Sequence, residues 1–276
     1  MRKCLLGIVF IAGAVLAPIS RAAEFAESVV AYTPGVGFAT EFGTGLPFTI
    51  SSSALGEPSR VTPGTFGGPV DPFNPPYLRD QLVSIGAGGS LTVHFANPIR
   101  NDAANPFGID FTIFGNSGLT ITNGDFSGGG ITDGSMFGAA AFASTRISVS
   151  ADNLEYFTLA PGLAPVFDGY FPTDGAGDFG MAVNPNAANE AALNGRGLAG
   201  LRAIYGGSAG GAGYDIGWAQ NSAGNFVALN SISYIRVDVL SGAAEIDGFS
   251  VAPEPATWTL LALGGAAGWF FRKRRQ

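Results

Sequence analysis

Apolar and polar residues alternate with a period of two along several short segments of the chain. The segments are SLTVHF (residues 90–95), GIDFTIF (108–114), TRISVSA (145–151) and SYIRVDVL (233–240). They are rich in β-branched and aromatic residues, and Gly, Asn, Asp and Pro punctuate the chain between them, which is typical of β-strands separated by turns. Alternation predicts one packed and one solvated face for each strand, and therefore antiparallel sheets rather than a parallel α/β core.

The alternation also assigns residues to the packed face of each segment. The inward residues are predicted to be Leu91, Val93, Phe95, Ile109, Phe111, Ile113, Ile147, Val149, Ala151, Ile235, Val237 and Val239. The pattern as a whole predicts an all-β fold, an antiparallel β-sandwich of jelly-roll type, as one domain over residues 23–252.

Two stretches depart from this alternation. Leu55–Tyr77 is rich in proline and glycine, which predicts a long surface loop. Glu190–Gly207 places Leu198, Leu201 and Tyr205 at helical spacing and ends in glycine, so one short helix is expected within it.

The first residues have the three parts of a secretory signal peptide. Arg2 and Lys3 are followed by an apolar run, Cys4–Ala17, and small residues then precede a cleavage position after Ala22 or Ala23. The run is short for a membrane span, so a signal peptide over residues 1–22 is predicted, with a buried N-terminal helix as the alternative. Because Cys4 is the only cysteine of the chain, the mature protein is expected to have no disulfide.

The last residues contain a second, different signal. A Pro-Glu-Pro triplet precedes the uncharged segment Ala256–Phe271, which as a helix would be about 24 Å long, short of the roughly 30 Å hydrocarbon core of a bilayer. Four consecutive cations follow, and such residues stay on the cytoplasmic side of a membrane. The residues assigned to this signal are Pro253, Glu254, Pro255, Arg272, Lys273, Arg274 and Arg275.

The order of triplet, short span and basic terminus resembles the PEP-CTERM sorting signal of Gram-negative bacteria. The resemblance covers residues 253–276, and it implies that the tail is recognised and removed by exosortase, a membrane enzyme that cuts near the triplet. The tail would then cross the inner membrane only transiently, and the mature protein would stay at the cell surface or outside the cell. An ordinary tail anchor is the alternative interpretation of the same residues.

Charge narrows the range of partners. Between Ala23 and Pro255 the chain has seven arginines, no lysine and all 21 acidic residues, which gives this segment a formal charge of −14. Such a surface would repel nucleic acid and anionic lipid and would attract divalent cations or basic partners. No nucleic-acid function is therefore expected.

Residues with catalytic chemistry are few. His94 is the only histidine, so the mature chain is expected to have neither a zinc site built on several histidines nor a Cys–His nucleophile. GRGLAG (195–200) and GAGDFG (175–180) match a dinucleotide-binding pattern, but glycine is so frequent that one chance match is expected and neither motif follows an apolar strand. Hydrolysis by a pair of carboxylates stays open, because sequence spacing does not show which acids meet.

Two further features have a structural and a functional interpretation. Asp and Asn lie beside glycine in four segments, 115–118, 173–178, 213–217 and 244–248, where they can close turns or supply oxygen ligands to calcium. Trp218, with Tyr214 nearby, is expected to belong to the core, with a sugar-stacking platform as the alternative. Turn closure is the favoured interpretation of the Asp and Asn residues, and no resident cofactor is predicted, with calcium as the alternative.

Taken together, the residues predict an exported surface or extracellular-matrix protein without enzymatic activity, processed by exosortase and associated with polysaccharide or other envelope components. Two alternatives stay open. The first is a carbohydrate-binding module, which would present an exposed pair of aromatic rings. The second is a glycan hydrolase, which would have two carboxylates about 5 to 10 Å apart in a pocket.

Overall fold

The computed structural model describes residues 24–65, 67–138, 143–165, 167–169 and 171–252. The strands of these residues are β1 Ser28–Thr33, β2 Val61–Thr62, β3 Gly68–Pro69, β4 Val83–Gly86, β5 Ser90–Arg100, β6 Phe111–Gly115, β7 Gly118–Ile121, β8 Ile131–Phe137, β9 Ser144–Ser150, β10 Phe157–Leu159, β11 Arg196–Gly197, β12 Ala212–Tyr214, β13 Ala219–Gln220, β14 Ser231–Ser241 and β15 Ala243–Val251. The α-helices are α1 Glu190–Leu193 and α2 Leu198–Tyr205. The all-β prediction is confirmed.

The strands pair antiparallel in every sheet of the described residues. One sheet has the order β1-β5-β14-β9-β10-β13, and a second has the order β12-β6-β15-β4. Two smaller sheets have the orders β11-β8-β7 and β2-β3. The main hydrophobic core contains side chains from both larger sheets, among them Val93 and Ile235 of the first and Ile113 and Ile246 of the second. The two sheets therefore form the layers of a sandwich-like fold; its jelly-roll connectivity stays a prediction.

The centre of the larger sheet follows the alternation in the sequence. Val93 of β5 lies opposite Ile235 of β14, and Leu91 lies opposite Val237. These side chains are fully buried, as expected for the packed face of a strand. At about 25 cal/mol per Å² of apolar surface, burying one such side chain contributes about 2 kcal/mol.

The prediction of one solvated face per strand is wrong for the end of β9, where Ser148 and Ser150 are buried, and it is wrong for β6. All five of its residues are buried, because Phe114, on the face opposite Ile113, packs against Phe179 and Ala209. The Phe114 and Phe179 rings meet edge to face with centroids 5.0 Å apart. Ala151 was also predicted to face the core, but it lies exposed beyond the end of β9.

Two short helices form within the described residues where one was expected. Asn189 begins α1, and its side chain accepts a hydrogen bond from the backbone N–H of Ala192 at 2.9 Å, which satisfies a donor that has no partner inside the helix. Helix α2 buries Leu201 and Tyr205 and ends at Gly206, whose φ of 63° is the left-handed conformation of a helix C-terminus.

Leu55–Tyr77 was predicted to be a surface loop, and it is more structured than that. It contains the β2–β3 pair, and Val70 within it is fully buried. Ser59 of the same segment hydrogen-bonds to Asp247 of β15. Contacts to residues far along the chain therefore order this segment, which local turn signals do not show.

The first and last described residues lie beside each other. Phe25 forms an antiparallel bridge with Ser250, and the backbone N–H of Val251 donates to the carbonyl of Glu24 at 2.8 Å. The N–H of Ala252 donates to the carbonyl of Asp110 at 2.9 Å. The chain is thus held in the sheet up to Ala252.

No helix within the described residues has the length and apolarity needed to cross a membrane. The predicted signal peptide, residues 1–22, and the predicted sorting tail, residues 253–276, lie outside the described residues. The domain bounds drawn from the sequence stay predictions.

Candidate functional site

Three of the four Asp/Asn–Gly segments meet in space, although they are far apart in the sequence. The hydroxyl of Thr173 donates to the carbonyl of Gly115 at 3.2 Å. The side chain of Asn116, between β6 and β7, lies close enough to Glu245 of β15 to oppose the rise of its pKa. These contacts bring segments 115–118, 173–178 and 244–248 together around one carboxylate, that of Asp168.

Asp168 lies in a turn where it is almost completely buried, with 3% of its surface exposed. Its φ of 54° is in the left-handed region, which is uncommon for residues other than glycine. The backbone N–H of Ser117 donates to its Oδ2 at 2.6 Å, and the hydroxyl of Ser117 donates to its backbone carbonyl at 2.9 Å. Burial raises the pKa of Asp168 from 3.8 to about 6.

A glycine makes room for this carboxylate. A Cβ atom added to Gly115 would lie 2.5 Å from the Cγ of Asp168, which is closer than such atoms approach. The absent side chain of Gly115 therefore lets the buried carboxyl group pack directly against β6.

Two further carboxyl groups lie close enough to Asp168 for its negative charge to raise their pKa. Glu245 and Asp247 of β15 are 3% and 2% exposed. Burial, and then the negative charge of Asp168, raises the pKa of each to about 7. Asp247 accepts hydrogen bonds from the backbone N–H and the hydroxyl of Ser59, both at 2.8 Å. We call Asp168, Glu245 and Asp247 the buried acid cluster.

A fourth buried acid has a cationic partner. Arg202 of α2 donates from Nε to Oδ2 of Asp174 at 2.7 Å, and from Nη2 to Oδ1 at 2.9 Å. Asp174 is 2% exposed, and a two-pronged guanidinium–carboxylate contact is the strongest form of such a pair. This pair fixes α2 to the segment 173–178. Within the described residues, the buried acid cluster has no comparable ion pair.

A cavity of about 610 Å³ adjoins the cluster at Asp168. Its walls come from β8, the turn around Asp168, the start of α1 and the glycine-rich segment at β12. The lining residues are Gly134, Ser135, Met136, Pro165, Asp168, Gly169, Phe171, Val183, Pro185, Ala188, Glu190, Gly211, Ala212 and Gly213. Apart from Asp168 and Glu190 this lining is uncharged and mostly apolar, which is typical of small-molecule sites.

The other residues singled out in the sequence have structural surroundings. His94 is half-buried on β5, with its ring 4.8 Å from that of Tyr234. Tyr214 is fully buried and stacks on Phe111 at 5.3 Å. Trp218 packs partly buried against the main core, as expected, so Tyr214 and Trp218 do not form an exposed platform for a sugar.

The glycine motifs serve the packing of the backbone. Gly197 precedes the first residue of α2, and Gly177 approaches the backbone of Ser208 so closely that a Cβ would lie 2.3 Å from its carbonyl oxygen.

In the described residues, no three or more His, Cys, Asp or Glu side chains are placed to hold a metal ion. Calcium binding stays a prediction without an assigned site.

No pattern in the sequence distinguishes Asp168 or the residues of the cavity beside it. The local signal was the Asp168-Gly169 pair after an apolar residue, which indicates a turn. Its burial depends on Gly115, more than 50 positions earlier in the chain, and such pairing is not visible in one sequence.

Comparison with protein-family models finds the PEP-CTERM protein-sorting motif at residues 251–275. No curated protein matches the chain. A solved structure described as a glycoside hydrolase aligns with 86% of this chain at 8% identity and a TM-score of 0.24. The chain spans 33% of that structure's length, and a likeness this low carries no argument about fold or activity.

The matched segment includes every residue assigned to the sorting signal: Pro253, Glu254, Pro255, Arg272, Lys273, Arg274 and Arg275. These residues lie outside the described part of the chain. The match begins at Val251, which is also the last residue of β15. The chain thus carries a C-terminal PEP-CTERM protein-sorting motif, consistent with an exosortase substrate, and this motif implies export across the inner membrane and a surface or extracellular location after processing.

Proposed function

We propose that the protein is a non-enzymatic component of the cell surface or extracellular matrix, which acts by display and by association with polysaccharide or other envelope components. The observation that carries the proposal is the junction of body and motif. The sorting motif starts at Val251, the last residue of β15, and β15 pairs with β6 on one side and β4 on the other, so removal of the tail would release a folded body whose chain ends just after a central strand of its sheet.

The position of the acids supports association rather than turnover. Glu245 and Asp247 are buried, and hydrogen bonds from the backbone N–H and the hydroxyl of Ser59 hold Asp247 inside the body. A carboxylate that hydrolyses a polysaccharide has to reach the glycosidic bond. These two residues therefore act on the stability of the fold.

The hydrolase alternative has one observation in its favour. Asp168 and Glu190 both line the cavity, and burial raises the pKa of Asp168 towards the range of a general acid. The exported protein, incubated with envelope polysaccharide, is expected to release no reducing ends. Release of sugar that Asp168→Asn abolishes without unfolding the protein would establish the hydrolase instead.

Localisation and retention test the proposal itself. Alanine replacement of Pro253, Glu254 and Pro255 is expected to keep the protein from its surface location and to reproduce the phenotype of losing the whole chain. The control replaces the loop triplet Asp125-Phe126-Ser127 between β7 and β8, in which Asp125 is half-buried and the other two residues are exposed, and it leaves the location unchanged. Normal surface location of the first variant would contradict the proposal.

A further inference from the structure

The cavity beside Asp168 combines an apolar wall with an uncompensated negative charge. Its lining includes Met136, Phe171 and Val183, together with the two acids Asp168 and Glu190. Among the described lining residues there is no lysine, arginine or histidine. The cavity therefore disfavours anions. A ligand with an apolar body and a positive charge can pack against the apolar residues and pair with the two acids.

The buried acid cluster strengthens the case for a cation. Asp168 is held in a left-handed conformation with its carboxyl group buried. Its neighbours Glu245 and Asp247 are also acids, and no arginine of the described residues pairs with the three. Burying a carboxyl group without a cation costs free energy. The left-handed backbone of Asp168 is also strained, and strained residues are often found at ligand sites. A cationic group in the adjoining cavity would offset part of that cost.

The size and the aromatic residue of the cavity narrow the ligand class. About 610 Å³ lies within the range of sites that enclose a small organic molecule. Phe171 supplies a ring, and cationic nitrogens are attracted to aromatic faces. A saccharide needs several polar partners around its hydroxyl groups, whereas Ser135 is the only uncharged polar side chain in the described lining.

We propose that this cavity is a binding site for an organic ammonium compound with an apolar body. Asp168 and Glu190 provide the negative wall, and Met136, Phe171 and Val183 enclose the apolar part. The formal charge of −14 between Ala23 and Pro255 raises the concentration of such cations near the surface. This proposal does not depend on the proposed surface or matrix function, so the two are tested separately.

The test compares a cation with its neutral analogue on the exported protein recovered from the cell. Calorimetric titration with 2-phenylethylammonium is expected to show one site of millimolar or tighter affinity, with 2-phenylethanol at least about tenfold weaker. Glu190→Gln and Asp168→Asn are each expected to weaken binding of the cation and to leave binding of the alcohol unchanged. The control Asp152→Asn removes an exposed charge outside the cavity and changes neither.

Each outcome decides the proposal. Glu190 is exposed at the start of α1, so Glu190→Gln folds even where Asp168→Asn does not, and it then carries the test alone. No heat from the cation, equal affinity for cation and alcohol, or affinity unchanged by Glu190→Gln overturns the proposal. Binding of an uncharged disaccharide in preference to the cation would also overturn it and would favour a carbohydrate site.

Discussion

Raising the pH from 5 to 8 is expected to destabilise the protein, because the buried acid cluster must ionise inside the fold. The pKa of Asp168 is raised by burial to about 6, and burial and the charge of Asp168 raise those of Glu245 and Asp247 to about 7. A raised folded-state pKa gives stability that is fully present below the unfolded value, near 4, and is lost as pH rises through the folded value. The loss therefore falls between about pH 4 and pH 8.

The size of the effect follows from the shifts. One pKa unit corresponds to about 1.4 kcal/mol, so Asp168, shifted from 3.8 to about 6, alone loses about 3 kcal/mol of stability over its whole titration, and about half of this loss falls between pH 5 and pH 8. The three groups interact, so their losses do not add, and the total is expected to be several kcal/mol. This is a large fraction of the 5–15 kcal/mol typical of a domain. Exposed acids whose pKa is lowered, such as Asp152, change the free energy of unfolding only below about pH 4, so they do not contribute to its change between pH 5 and pH 8.

Urea denaturation at pH 5, 6, 7 and 8, in the presence of a chelator, measures the free energy of unfolding directly. Asp247→Asn keeps the acceptor for the N–H of Ser59 and removes one ionisable group, so the pH dependence is expected to become shallower. Asp152→Asn is the matched control and is expected to leave the slope unchanged. Equal or greater stability at pH 8 than at pH 5, or a slope that Asp247→Asn does not alter, would refute this reasoning.

Three further perturbations have defined outcomes. Arg202→Ala leaves the buried Asp174 without its cation and is expected to cost about 2 kcal/mol of unfolding free energy. This is less than the cost of breaking a fully buried pair, because Arg202 is partly exposed. An unchanged urea midpoint would contradict this prediction. Gly115→Ala places a Cβ against the buried carboxyl group of Asp168 and is expected to cost about 2 kcal/mol of unfolding free energy. The control Gly162→Ala, with open space around it, has little effect. Equal urea midpoints for the two variants would contradict the close packing of Asp168 against Gly115. Millimolar calcium is expected to raise Tm relative to chelator, since a cation that binds only the folded state stabilises it; superimposable melting curves would end that prediction.

The parts of the fold that depend on local pattern could be predicted from the sequence. Apolar and polar residues alternate without interruption at 90–95 of β5 and 234–239 of β14, and the predicted inward residues Leu91, Val93, Ile235 and Val237 are buried. Side chains alternate across a strand for geometric reasons, so a single sequence contains this information. The glycine that ends α2 is a signal of the same local kind.

The candidate site depends on contacts between distant residues. Gly115 accommodates Asp168, and Ser59 hydrogen-bonds to Asp247 across 188 positions of the chain. No local pattern distinguishes a buried acid from a solvated one, because both stand beside glycine in turn-like segments. The covered second face of β6 escaped prediction for the same reason, since Phe179 reaches it from elsewhere in the chain.

The central claim is that the protein is exported and processed through its C-terminal motif, and mass spectrometry of both termini of the surface protein tests it most directly. The account predicts a chain that begins near Ala23, keeps Val251 and Ala252 because backbone hydrogen bonds hold them in the body, and lacks residues 256–276. Recovery of surface protein that still contains the Arg272–Arg275 peptide would contradict the account.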